Sequence, residues 1–262
     1  MHELPLLIFT LFLQGSVGVT LWLAFGAAGA PQRSVLATAV GAFVLASVGL
    51  LSSALHMGYP LNALNALRHV SSSWLSREIV FASLYLAAVG LAILLLLAKQ
   101  PGWKPLLVAA GLVGLVDVFC MAQIYMHASV VTWQHINTLV LFIGSVGIIG
   151  SAFMAVRGQN RSAVRVAVVI VALLVLARLL MQPLWLADIH AADTGAVTFP
   201  HAPLQMLEQL RTVHLIGECV SVLGMLCFAA GGLRSTRGTM LAGSALLIVG
   251  EVMLRFVFFS IG

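Results

Sequence analysis

His56 ends one apolar stretch of the chain and the pair Arg77–Glu78 opens the next. The run between them reads H-M-G-Y-P-L-N-A-L-N-A-L-R-H-V-S-S-S-W-L-S-R-E-I, from His56 to Ile79. A Gly-x-Pro turn and an amphipathic segment bring the chain back on itself. His56 and Glu78 are therefore expected at the same end of two consecutive helices. A proton acceptor beside a carboxylate, between apolar walls, suits a ring whose hydroxyls donate hydrogen bonds and shed protons to water, as a quinol headgroup does. Ser76 and Arg77 flank the carboxylate and would tune it. Arg211 and His214, one turn apart in a later stretch, are further candidates for the wall of such a pocket.

The remaining ionisable residues in apolar surroundings each carry a structural and a functional reading. Glu251 and Arg255, four apart, are expected to form an ion pair that lets both be buried. Arg178 and Arg211 either snorkel to an interface or hold an anion. Asp117 is expected to be a protonated, hydrogen-bonded core residue, with a proton relay as the alternative. Asp117 and Glu218 fall near the middle of their stretches. Cys120, Cys219 and Cys227 lie in apolar runs without C-x-x-C spacing and are expected to be small buried side chains. They cannot supply the roughly four soft ligands of an iron–sulfur cluster or structural zinc site. No metal site is expected.

The elements that position these groups follow from composition. Of 262 residues, 61% are apolar and 8% are charged, against about 25% charged in a soluble domain. There is too little polar material to cover a globule in water, so the solvent is lipid. The net charge of +5 then sets topology rather than pointing to nucleic acid. The first apolar run lacks a basic leader and is too long for a signal peptide, so it is expected to be a span. Breaks at charges, Pro and Gly clusters leave eight stretches near the length of about 20 residues that crosses a bilayer. They are Leu4–Ala30, Val35–Met57, Trp74–Ala98, Pro105–His127, Gln134–Val156, Ala163–Leu186, Met206–Ala230 and Thr239–Ile261. The two longer connections are Gly58–Ser73 and Ala187–Gln205. No internal repeat is evident. Gly144, Gly147 and Ser151 share one face of the fifth stretch, a small-residue pattern that admits close helix packing.

Alternate connections hold Arg33; Lys99 and Lys104; Arg157 and Arg161, with Arg165 just beyond; and Arg234 and Arg237. The other set offers only Arg68 and Arg77. The first set is expected to be cytoplasmic. The expected fold is all-α, an integral membrane bundle of eight transmembrane helices in a single domain over residues 1–262, with both termini extracytoplasmic. His56, Glu78, Arg211, His214, Glu251 and Arg255 then fall in the outer half of the bilayer.

At His56, Gly58, Pro60, Leu75, Ser76, Glu78 and Ile79 the sequence resembles the membrane-anchor (C) subunit of the dimethyl sulfoxide reductase family. That family has H-L-G-x-P near the end of its second helix and S-x-L-S-x-E-I opening its third. Gly250–Glu251 with Arg255 is similar to its last helix. Met57 replaces the usual Leu, and Asn62 stands where a basic residue is common. The resemblance implies a multi-pass protein of the bacterial inner membrane. It would hold an iron–sulfur electron-transfer subunit and a molybdopterin catalytic subunit on the extracytoplasmic face. It would bind menaquinol and carry neither haem nor iron–sulfur cluster of its own. By matching position His56 and Glu78 are the residues of quinol oxidation. Three other readings remain: a quinone-reducing anchor of a related dehydrogenase, a haem b anchor using His56, His127 or His214, and a proton-coupled transporter using Asp117, Glu218 and Glu251.

Overall fold

The computed structural model describes residues 4–26, 31–56, 65, 67–156, 161–192 and 203–261. Eight of the described helices are long and apolar enough to cross a membrane. In order they are α1 (Leu4–Gly26), α2 (Gln32–His56), α3 (Trp74–Leu97), α4 (Trp103–Met126), α5 (Ile136–Val156), α6 (Arg161–Ala192), α7 (Pro203–Arg234) and α8 (Arg237–Ser260). Short 3-10 turns at Leu67–His69 and Val131–Trp133 precede α3 and α5. Half of the Gly58–Ser73 connection lies outside the described residues.

The helices pack as two rings of four. In one, α1 meets α2, α2 meets α3, α3 meets α4, and α4 returns to α1. In the other, α5 through α8 repeat the same order of neighbours. The two halves meet chiefly where α1 crosses α5. No repeat was legible in the sequence. Lipid tails are as apolar as leucine, so burial alone does not press such helices together, and close backbone approach carries more of the contact. The α1–α5 crossing shows this: a Cβ on Gly150 would lie 2.7–2.8 Å from the Gly18 backbone. The expected small-residue face of α5 is divided between two neighbours. Gly144 and Gly147 accept Arg178 and Leu174 of α6, whereas Ser151 takes the indole N–H of Trp22 from α1 at 3.3 Å. Toward the end where α1 begins and α8 stops, Tyr125, Trp133, Phe142, Phe258 and Phe259 form an aromatic cluster across the seam.

Helix limits agree with the expected spans to within a few residues except in α6 and α7. Helix α6 continues through Pro183 to Ala192, six residues past the expected end, and α7 starts at Pro203. Proline removes one backbone hydrogen bond but does not end a helix that its neighbours hold in place. Here Trp185 donates to the Thr132 carbonyl at 2.9 Å and Asp188 pairs with His135 at 3.2 Å. Of the cysteines, Cys120 is buried, Cys227 is half-buried and Cys219 faces outward, against the expectation that all three are buried.

Candidate functional site

The start of α3 is fixed by Ser73, whose hydroxyl accepts from the Ser76 amide at 3.4 Å and caps the helix. One buried stripe then runs along α3 through Glu78, Ala82, Tyr85 and Val89, a spacing that keeps side chains on one face; Ser76 is also buried, on the other side of the helix. Glu78 is 6% exposed. Arg77 faces away from this stripe. Its guanidinium donates to the carbonyls of Val70 and Ser71 at 2.9 and 2.6 Å and lies 4.2 Å from the Trp74 ring centroid. Trp74 also packs against Phe119 and His127 at the end of α4, which holds the start of α3 against the end of α4. His56 is the last residue of α2 and reaches the same end of the bundle.

Asp117 of α4 lies within electrostatic reach of Glu78 across the α3–α4 contact. At 1.5 Å per residue, Glu78 lies about 6 Å into its helix and Asp117 about 14 Å in from the end of α4. The second carboxylate therefore sits below the first. Tyr85 continues the stripe inward, its hydroxyl 2.6 Å from Ser16 Oγ and 2.9 Å from Thr20 Oγ1. Asp117 is fully buried. It lies against the Ala82 backbone, yet neither of its oxygens makes a hydrogen bond of acceptable geometry. This corrects the expectation of a hydrogen-bonded core residue. Among the described residues of α1–α4, no Arg or Lys is buried.

The α5–α8 half solves the same problem with permanent charges. Glu251 is bound by the Arg178 guanidinium, not by Arg255 as the i, i+4 spacing suggested. Arg178 also donates to the Leu141 carbonyl at 2.8 Å, and Ser145 donates to Glu251 at 2.6 Å. Arg255 donates to Gln14 at 2.7 Å and to Ser145 at 2.8 Å, and sits 4.0 Å over the Phe142 ring. Arg178 therefore neither snorkels nor stands free. Its charge also faces Glu218, whose carboxylate accepts from Gln182 at 2.9 Å. His214 is 3.3 Å from the same Gln182 amide and 3.8 Å from Glu218. Arg211 is exposed and pairs with Glu208 at 3.4 Å.

The six sequence-derived site residues thus divide. His56, Ser76, Arg77 and Glu78 share one end of the α1–α4 half, while Arg211 and His214 belong to the α5–α8 half. Sequence reading missed that Asp117 lies within electrostatic reach of Glu78, and missed Gln182 altogether. The first had a signal, since two lone carboxylates in adjacent antiparallel spans can face each other. The second had none, since a lone Gln in an apolar stretch is not distinctive.

These features define a multi-pass helical membrane protein in which, among the described residues, the buried guanidinium groups come from α5–α8 alone. The family model of the DMSO reductase anchor subunit (DmsC) matches residues 1–261, and the protein belongs to that family. It is an anchor subunit of a multi-subunit DMSO reductase complex. It is 30% identical to the C subunit of the anaerobic dimethyl sulfoxide reductase of Escherichia coli K12, over 99% of its own length and 95% of that relative. It is 27% identical to the anaerobic dimethyl sulfoxide reductase subunit YnfH of the same organism, with the same coverage. Identity to the C subunit of the Haemophilus influenzae enzyme is 29%, over 53% of the present sequence and 52% of that relative. No solved structure matches.

Proposed function

We propose that this anchor oxidises menaquinol at the end of the bundle where α2 stops and α3 begins, with His56, Ser76, Arg77 and Glu78 as its site. The observation that carries the reading is the buried Glu78, with a second buried carboxylate, Asp117, on the neighbouring helix and no buried Arg or Lys among the described residues of the same half. Carboxylates enclosed in this way exchange charge with protons rather than with a fixed cation. That is what quinol oxidation requires, since each turnover releases two protons and two electrons.

In this reading His56 accepts a hydrogen bond from one ring hydroxyl and Glu78 takes the proton of the other. Arg77, tied to the Val70 and Ser71 carbonyls, holds the α3 start in place, and Ser76 lies buried in the first turn of the same helix. The electrons pass to an iron–sulfur subunit docked on the extracytoplasmic face, over the ends of α2 and α3, and from there to a molybdopterin subunit. The protons leave on that same side. Neither charge crosses the hydrocarbon core.

Glu78→Gln keeps size and removes the proton acceptor, and His56→Phe removes the hydrogen bond. Each is expected to lower quinol-dependent turnover in the membrane-bound complex by about a hundredfold or more, with all three subunits still recovered together. Turnover at the parental rate in Glu78→Gln would show that the carboxylate is structural.

A further inference from the structure

Helices α6 and α7 have 32 residues each, whereas the other spans have between 21 and 25. At 1.5 Å per residue the long pair runs to about 48 Å, well beyond a hydrocarbon core about 30 Å thick. Both begin or end on basic residues at the same end of the bundle, Arg161 and Arg234. The excess length therefore stands at the opposite end, where α2 stops and α3 starts. Counting about 20 residues from Arg161 and from Arg234 puts the hydrocarbon boundary near Gln182 on α6 and His214 on α7. Everything further out is at headgroup depth.

At that depth a crevice of about 430 Å³ opens between the two helices, lined by Leu186, His190, Leu207, Glu208, Arg211, His214 and Leu215. Its three leucines offer apolar wall. Its polar groups are a cation and an anion one turn apart on α7, Arg211 and Glu208, 3.4 Å from each other and both exposed, with His190 on the α6 side. His214 closes the inner end, its Nε2 turned toward Gln182.

We infer that this crevice binds the headgroup of a phospholipid carrying a primary ammonium, a phosphoethanolamine, with its phosphate on Arg211 and its ammonium on Glu208. A zwitterionic headgroup is a phosphate and an ammonium a few bonds apart. The Arg211–Glu208 pair is the complementary dipole. Guanidinium matches phosphate as a bidentate donor, and a primary ammonium brings N–H donors that a carboxylate accepts. A choline headgroup has the charge without those donors. A glycerol headgroup has no cation, so Glu208 would gain no ionic partner from it. His190 can add a hydrogen bond to the phosphate, and the leucines receive the start of the acyl tails. This site is separate from Glu78, and its occupancy does not depend on the quinol reading.

The test is native mass spectrometry of the intact detergent-purified complex, offered phosphatidylethanolamine, phosphatidylcholine and phosphatidylglycerol in equal amounts. One phosphatidylethanolamine per complex is expected to survive activation that strips the other two. Losing one charge-assisted contact lowers retention by about tenfold, so Arg211→Gln and Glu208→Gln should each do so. Arg68→Gln, an exposed arginine elsewhere on the same face, should not. Glu208→Gln should weaken phosphatidylethanolamine more than phosphatidylglycerol, because only the former has an ammonium to lose. Equal retention of all three lipids, or unchanged retention in both α7 variants, would mean only an unselective lipid shell and overturn the assignment. So would a quinone, rather than a lipid, lost on Arg211→Gln. Loss of quinol turnover in Glu78→Gln bears on the catalytic reading alone.

Discussion

Arg178 and Glu251 are 3% and 2% exposed, in the interior of a bundle that lipid surrounds. Each is tolerated there because the other is present and because Ser145 and the Leu141 carbonyl take up further bonding capacity. Removing one member leaves a buried charge without its counterpart, at about 3–5 kcal/mol. Glu251→Ala and Arg178→Met are each expected to lower the thermal unfolding midpoint of the detergent-purified complex and its yield in membranes. The double variant Arg178→Met with Glu251→Leu should recover stability relative to either single change, since no lone charge remains. A double variant no better than the worse single would show that the pair is not the unit of stability. The i, i+4 spacing of Glu251 and Arg255 pointed to the wrong partner. Spacing along one helix says which groups can meet, but Arg178 comes from α6, and Gly144 beneath its guanidinium clears the space: a Cβ there would lie 2.7 Å from Arg178 Nε.

Among the elements, the α1–α5 crossing joins the two halves and is the most exacting contact. A methyl group on Gly150 would meet the Gly18 backbone rather than the end of a flexible side chain, so the helices themselves must part. Gly150→Ala is expected to destabilise the protein by about 1–3 kcal/mol, the range for overpacking. Gly41→Ala, where a Cβ meets nothing within 4 Å, should be nearly neutral, and the pair of melting curves checks both. Equal midpoints would mean that α1 and α5 can separate without consequence. That α5 would carry small residues at helix contacts was legible from Gly144, Gly147 and Ser151. Which neighbour each would touch was not, because every face of these helices is apolar and the sequence does not mark one as inward.

Over the whole molecule, the basic residues Arg33, Lys99, Lys104, Arg161, Arg234 and Arg237 gather at one end of the bundle, and Glu78, Arg211, the start of α1 and the end of α8 lie toward the other. By the distribution of Lys and Arg, the first end is expected to be cytoplasmic. With the native cysteines replaced, a cysteine at exposed Gln100 should resist a membrane-impermeant thiol reagent in intact cells, and one at exposed Asn65 should react. The reverse labelling would invert the molecule and move the proposed quinol site and headgroup crevice to the cytoplasmic side. At this scale the two halves share an order of neighbours but differ in electrostatics: α5–α8 buries Glu251 against Arg178, whereas among the described residues of α1–α4 the carboxylates Glu78 and Asp117 are buried and no Arg or Lys is.

The sequence by itself determined that the protein lives in lipid, that it forms eight spans, where most of those spans start and stop, and that His56 and Glu78 share one end of two neighbouring helices. These are local or compositional properties: the length of apolar runs, the placement of charges between them, and a short turn that reverses direction. Only the tertiary structure decided that the helices divide into two rings of four, that Asp117 and Glu78 are buried on packed neighbouring helices, that Arg178 neutralises Glu251, and that His214 and Arg211 belong to the other half from Glu78. Those facts depend on which faces of eight similarly apolar helices meet. In a soluble protein the polar face would have pointed outward and marked the answer. In lipid the outward face is leucine, like much of the inward one, and the choice is made by small residues and buried polar pairs drawn from distant parts of the sequence.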